Sequence, residues 1–206
     1  VIDAALERLG KIEKGEGEYL DDEPFVIAGA GVNASGARAE TTDVRLLSRT
    51  RAAHPLLKAD GSDAVQVIRR MATPEGVPYR NLLSQTAMNS TVRSYLSFQA
   101  LRVTPEYRMT EDNLLGMQWR STANSMQGNL EGITVPTLIM AGSCSSELVF
   151  LEIAFDHAAA KDKEFVAVEG ANHNLRPCRP EFGDTYQRSF DYMDAWLRKP
   201  GRILAR

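Results

Sequence analysis

The sequence has few cysteines, no long apolar run and no excess of basic residues. Its 206 residues include only two cysteines, too few for a disulfide-rich scaffold or a metal site of the usual cysteine-rich type. No stretch approaches the roughly 18 apolar residues that a membrane-spanning helix requires. The formal net charge of -3 does not suit non-specific binding to nucleic acid, which needs many cations against the phosphates. We therefore expect no nucleic-acid partner, no membrane span and no metal site.

The composition is that of a globular protein with a substantial core. Hydrophobic residues make up 43% of the chain and charged residues 25%, both ordinary fractions for folded domains. The residue pattern changes near residue 130. We predict a helical and irregular segment over residues 1–130 and an α/β segment over residues 131–206.

The first segment contains several short predicted elements. Residues 1–14 carry apolar side chains at helical spacing, which predicts an amphipathic helix. We predict a short extended segment at Phe25–Ile27 and one or two helices over residues 80–102. Residues 60–71 are predicted to form a short capped helix, because Ser, Thr and Asp are common at helix N-termini. Thr110–Asp112, followed by Leu114 and Leu115, is predicted to form a short capped element.

The second segment alternates between compact apolar runs and amphipathic stretches. Ile133–Met140 and Glu164–Val168 are short apolar runs that end near glycine, as expected of strands buried on both faces of a parallel sheet. Leu148–Ala160 and Thr185–Leu197 predict helices. The order strand, helix, strand, helix predicts a βαβα unit, in which ligands bind beyond the carboxyl ends of the strands.

These C-terminal elements resemble the α/β-hydrolase family. Ile133–Gly142 matches the penultimate-strand phrase I-x-V-P-T-L-x-x-x-G, and Val168–His173 resembles the last strand and the loop that holds the catalytic histidine. Asp191–Leu197 is similar to the terminal helix. The resemblance covers about residues 131–198 and is weaker before them. It implies the C-terminal part of an α/β-hydrolase parallel sheet, with residues 1–130 as a helical, cap-like segment.

The resemblance makes His173 the general base that takes a proton from the nucleophile; the alternative is a loop histidine with a structural hydrogen bond. The family's acid usually follows the strand-end glycine by three residues, a position that Ser145 occupies here. Glu147 is the first candidate for the acid and Glu152 the second. The remaining alternatives are an acid from an earlier strand outside this chain and a degenerate site. Glu147 also fits an ordinary solvated residue in a first helical turn.

The nucleophile of this family stands on a G-x-S-x-G turn between a strand and a helix. No such pentapeptide occurs in the sequence, and Ser35 has similar neighbours at the wrong spacing. Ser143, Cys144 and Ser145 lie in the acid loop and are poor candidates. The family's chain order then implies that the nucleophile lies upstream of Val1, on an N-terminal hydrolase segment or a separate chain.

The resemblance therefore implies a serine-type hydrolase acting on a small-molecule ester or related acyl substrate, with no organic cofactor or metal. The alternative is a catalytically altered relative that binds a small apolar ligand, which Ser145 at the usual acid position favours. Cys144 and Cys178 are either two free thiols or one disulfide that ties the acid loop to the histidine loop. Sequence spacing cannot decide between them.

Overall fold

The computed structural model describes residues 1–16, 24–27, 47–71 and 88–203. The helices are α1 Ile2–Lys14, α2 Val92–Phe98, α3 Met126–Leu130, α4 Leu148–His157 and α5 Thr185–Leu197. The strands are β1 Pro24–Ile27, β2 Arg49–Leu57, β3 Asp63–Arg69, β4 Met88–Thr91, β5 Arg102–Met109, β6 Leu114–Gln118, β7 Thr137–Gly142 and β8 Lys163–Val168. The chain forms two compact units. Their described residues are 1–16, 24–27, 88–107 and 116–129 in the first, and 47–71, 108–115 and 130–203 in the second.

The first unit has a small helical core. One face of α1 packs against α2, where Ala5, Val92 and Tyr95 are buried. The helix α1 ends at Gly15, whose φ of 65° is a conformation that glycine adopts without steric cost. Strand β1 pairs with β4 in antiparallel orientation. The predicted helix over residues 1–14 and the predicted extended piece at Phe25–Ile27 are both confirmed.

The second unit is built on a four-stranded sheet in the order β3-β2-β8-β7. Strands β7 and β8 are parallel, with Thr137 opposite Lys163 and Gly142 opposite Val168. Strand β2 is parallel to β8 and antiparallel to β3. The unit is therefore mixed α/β with a mostly parallel central sheet, which confirms the predicted class at this level.

Helices cover both faces of β7 and β8. On one face, Ile139 and Phe165 are buried with Leu148 and Ala154 of α4. On the other, residues that alternate with these along the strands, including Val166, lie in a cluster that Tyr192 of α5 packs against. This double burial explains why both strands are nearly continuous apolar runs in the sequence.

Two predicted helical elements are wrong. Residues 60–71 contain strand β3 rather than a helix, because Val65 and Val67 pair along β2 in an antiparallel hairpin. The side chain of Asp60 accepts hydrogen bonds from the amide and hydroxyl of Ser62, so these polar residues form the hairpin turn. Thr110–Asp112 likewise forms the turn between β5 and β6, which the bond from Thr110 N to Asn113 O closes.

The C-terminal prediction agrees better with the structure. The predicted strands are present as β7 and β8, and the predicted helices as α4 and α5, with α5 spanning Thr185–Leu197 as expected. The division at residue 130 differs from the observed one, because β2 and β3 belong to the same sheet as β7 and β8. Residues 1–130 are thus not wholly helical and irregular.

Candidate functional site

The loops that follow β7 and β8 leave the sheet side by side. Gly142 and Val168 are the last residues of these strands and are paired in the sheet. The two loops are packed so closely that a Cβ added to Gly142 would overlap the carbonyl oxygen of Ala171. The hydroxyl of Ser143 also accepts a hydrogen bond from Gly170 N at 2.9 Å. The sheet therefore brings the predicted acid loop and the predicted histidine loop together.

The predicted site residues His173 and Glu147 are in direct contact. The distance between His173 Nδ1 and Glu147 Oε2 is 2.5 Å. An ionised carboxylate can only accept hydrogen bonds, so in neutral His173 the proton belongs on Nδ1. The lone pair of Nε2 is then available to accept a proton from another group. The side chains of His173 and Glu147 are 66% and 43% exposed, so solvent can reach the pair.

Ser145 belongs to the turn that carries Glu147. Ser145 is buried, and its hydroxyl accepts a hydrogen bond from Glu147 N at 3.1 Å. Glu147 directly precedes α4, so its carboxylate stands at the N-terminal end of that helix. Ser145 is thus part of the turn that places the carboxylate of Glu147 beside His173.

A disulfide joins the two loops covalently. Cys144 and Cys178 are bonded, with a Cα–Cα distance of 6.3 Å. Cys144 N also donates a hydrogen bond to Ala171 O at 2.9 Å. Of the two possibilities that the sequence left open, the structure has the disulfide rather than free thiols. Cys144 therefore has no thiolate with which to act as a nucleophile.

The second acid candidate, Glu152, lies away from His173. Its carboxylate is buried and accepts hydrogen bonds from Arg51 N at 2.7 Å and Ala52 N at 2.9 Å, and it contacts His54 Nε2 at 2.8 Å. Burial by itself raises the pKa of Glu152, but the hydrogen bonds from His54 and these amides lower it below its ordinary value. Glu152 and His54 thus form an internal pair that joins α4 to β2. Sequence reasoning missed this pair.

The remaining candidates do not add to the site. His157 Nδ1 contacts Glu131 Oε1 at 2.8 Å, at the other end of α4 from Glu147. Ser143 is 1% exposed, so its hydroxyl is not accessible to a substrate. Ser35 falls outside the residues that the structure describes. Among the described residues, no group of three or more His, Cys, Asp or Glu side chains could hold a metal ion.

A cavity of about 570 Å³ adjoins His173 on the α5 side of β7. Its lining is largely apolar and consists of Pro136, Thr137, Leu138, Met140, His173, Leu175, Met193, Trp196 and Leu197. His173 is the one titratable side chain among them. The volume of the cavity falls in the range of small-molecule sites, and much of it is open to solvent.

Comparison of the chain with protein-family models, curated protein sequences and solved structures gave no match. In the described part of the chain, no helix is long and apolar enough to cross a membrane. The functional argument therefore depends on the geometry of the site.

Proposed function

We propose that this chain supplies the general base and the acid of a serine-type α/β-hydrolase that cleaves an ester or related acyl bond. The observation that carries the proposal is the 2.5 Å contact between His173 Nδ1 and Glu147 Oε2. It lies beyond the carboxyl ends of two neighbouring parallel strands, where ligands bind in sheets of this kind. Both residues follow segments that resemble the corresponding segments of α/β-hydrolases.

The proposed chemistry assigns one task to each residue. Nε2 of His173 takes the proton from the attacking hydroxyl and returns it to the leaving group. Glu147 holds the imidazole with its proton on Nδ1 and stabilises the imidazolium that forms during the attack. The apolar cavity beside His173 would receive the apolar part of the substrate.

The nucleophile in this proposal is a serine from an N-terminal hydrolase segment or a separate chain. Ser143 and Ser145 are buried, Cys144 is in a disulfide, and the sequence contains no G-x-S-x-G turn. Such a segment could pair with β7. Within the described residues, β8 pairs with one edge of β7 and no strand pairs with the other. An unpaired edge presents backbone groups that can bind another strand.

Exposed apolar side chains also stand just before β7. Ile133 and Val135 precede β7 in the chain and are 40% and 63% exposed. A strand added beside β7 would extend the sheet on which the cavity rests. The proposed partner is therefore a strand-bearing segment that brings the serine close to His173 Nε2.

The experiment is intact-mass spectrometry under denaturing conditions, after the native preparation reacts with a serine-directed fluorophosphonate. We expect one probe on a longer polypeptide or on a second chain. Labelling should be much slower in the His173→Ala variant and unchanged in His157→Gln, a matched histidine at the far end of α4. Labelling of a serine within these 206 residues would contradict the proposed source of the nucleophile.

The cavity also favours a second function, in which a catalytically altered relative binds a small apolar ligand. An apolar ligand would fill the cavity without needing a nucleophile. Calorimetric titration with 1-decanol tests this function, with Met193→Trp as a variant that fills the cavity. Saturable binding lost in Met193→Trp, together with no fluorophosphonate labelling and no ester turnover, would favour the binding protein over the hydrolase.

A further inference from the structure

His173 stands in a short turn that the preceding residue closes. The side-chain oxygen Oδ1 of Asn172 accepts hydrogen bonds from Asn174 N at 2.9 Å and from Arg176 N at 3.1 Å. The backbone of Asn172 also bonds to Arg176 O at 2.8 Å and to Leu175 N at 2.9 Å. Asn172 is thus bonded to each of the three residues after His173. These four hydrogen bonds close a turn over residues 172–176 that includes the backbone of His173.

The imidazole has little packing to hold it in place. Its side chain is 66% exposed, so the direction in which it points depends mainly on the backbone that carries it. A hydrogen bond to a half-exposed carboxylate adds little rigidity, because solvent competes for both partners. The contact with Glu147 therefore requires the turn to be well ordered.

The same turn contains an unfavourable backbone conformation. Leu175 has a φ of 60°, a left-handed conformation that is costly for a residue with a Cβ. It persists only when surrounding interactions fix it. Two such interactions are the hydrogen bonds that Asn172 Oδ1 accepts from the amides of Asn174 and Arg176, on either side of Leu175. A third is the bond that Thr185 Oγ1 donates to Leu175 O at 2.5 Å.

We infer that Asn172 is the positioning residue for His173: its side-chain oxygen fixes the turn 172–176 and so holds the imidazole against Glu147. The kinetic part of this inference rests on the proposed hydrolase function. Asn172 is not itself among the residues that line the cavity, so the loss of its side chain should lower kcat more than it changes KM.

The sequence offers a matched control, because His173 has an asparagine on each side. Asn174 takes part in the turn through its backbone amide, and its side chain is exposed. Asn172→Ala removes the acceptor, Asn172→Asp retains an oxygen at the same place, and Asn174→Ala deletes an equivalent side chain without that role. Asn172→Ser retains a shorter acceptor if the alanine variant does not fold.

The first readout does not depend on hydrolysis. Nitrogen-15 chemical shifts of histidine-labelled native protein report which ring nitrogen of neutral His173 carries the proton. We expect Nδ1–H in the wild type, in Asn172→Asp and in Asn174→Ala. In Asn172→Ala we expect a shift of population towards Nε2–H, and a smaller shift in the same direction in Asn172→Ser.

The second readout is ester hydrolysis by the same variants, each prepared together with the segment or chain that takes up the fluorophosphonate. We expect kcat to fall roughly ten- to a hundredfold in Asn172→Ala, since a misplacement of about 1 Å can cost a hundredfold, with recovery in Asn172→Asp. Equal effects of Asn172→Ala and Asn174→Ala, or no effect of the first in either readout, would overturn the inference. If the native preparation takes up no fluorophosphonate and hydrolyses no ester, but the proton shift occurs as expected, the hydrolase proposal fails and the positioning role stands.

Discussion

The carboxylate of Glu147 lies 2.5 Å from Nδ1 of His173, although 26 positions separate the two residues in the chain. Parallel pairing brings them together, because Gly142 and Val168 end their strands at the same level of the sheet. A disulfide and the bond from Gly170 N to Ser143 Oγ then hold the two loops to each other. The pair is therefore a product of the sheet topology as well as of the two side chains.

Replacement of Glu147 tests the acid role directly. In the proposed mechanism Glu147 stabilises the imidazolium, and Glu147→Gln removes its charge, so we expect kcat/KM for ester hydrolysis to fall by about a hundredfold or more. Glu181→Gln is the control, because Glu181 is an exposed glutamate that pairs with Arg179. Equal values of kcat/KM for Glu147→Gln and Glu181→Gln would contradict the proposed role of Glu147.

The disulfide should contribute to stability. The Cys144–Cys178 bond closes a loop of 34 residues, for which the restriction of the unfolded chain predicts roughly 2–4 kcal/mol. We expect a lower urea midpoint for the Cys144→Ser/Cys178→Ser double variant. A reducing phosphine should lower the midpoint of the wild type to the same value and leave the double variant unchanged. An unchanged midpoint in reduced wild type would contradict the prediction.

The buried Glu152 should make stability depend on pH. Its folded pKa lies below the ordinary value of 4.5, so its stabilising effect is present above about pH 4.5 and is lost as the pH falls through the folded pKa. We expect Glu152→Gln to lower the free energy of unfolding by about 3 kcal/mol at pH 7, as for other broken buried pairs.

The difference between wild type and Glu152→Gln should shrink as the pH falls below 4.5, the ordinary value for this carboxyl group. Urea denaturation from pH 7 to pH 3 measures it, and Glu181→Gln serves as an exposed control. A difference that stays constant over this range would show that the charge of Glu152 contributes nothing.

Gly170 should be intolerant of a side chain. Its φ is 73°, and an added Cβ would overlap the ring of Phe182, whereas Gly61 has a φ of 83° with nothing within 4 Å. We expect Gly61→Ala to cost about 1 kcal/mol for the backbone conformation alone. Gly170→Ala should cost about 3 kcal/mol, because overpacking adds to that penalty. Equal urea midpoints for the two variants would contradict this account of the histidine loop.

The sequence predicted the parts of the site whose pattern is local. Strand β8, helix α5 and the loop that carries His173 have periodicities and turn residues that identify them without reference to the rest of the chain. Strand β3 was missed because Ser62 and Asp63 are residue types that are also common at helix N-caps. Its pairing with β2 depends on a hairpin turn.

The choice of acid shows a different limit. Glu147 and Glu152 are both near the end of β7 in sequence, and only the packing of α4 against β2 assigns them to different environments. The contact between His54 and Glu152 spans 98 positions, and no local pattern indicates it. Nothing in the local sequence distinguishes Asn172 from other loop asparagines, and its hydrogen bonds to the turn become evident only in three dimensions.

The most direct test of the central claim is the protonation site of neutral His173, read from nitrogen-15 chemical shifts in the native protein. The chain has three histidines, so His54→Gln and His157→Gln variants assign the signals. We predict the Nδ1–H form in the wild type and a shift towards Nε2–H in Glu147→Ala, because the carboxylate that accepts the Nδ1 proton is gone. An Nε2–H form in the wild type, or no change in Glu147→Ala, would contradict the proposed pairing of Glu147 with His173.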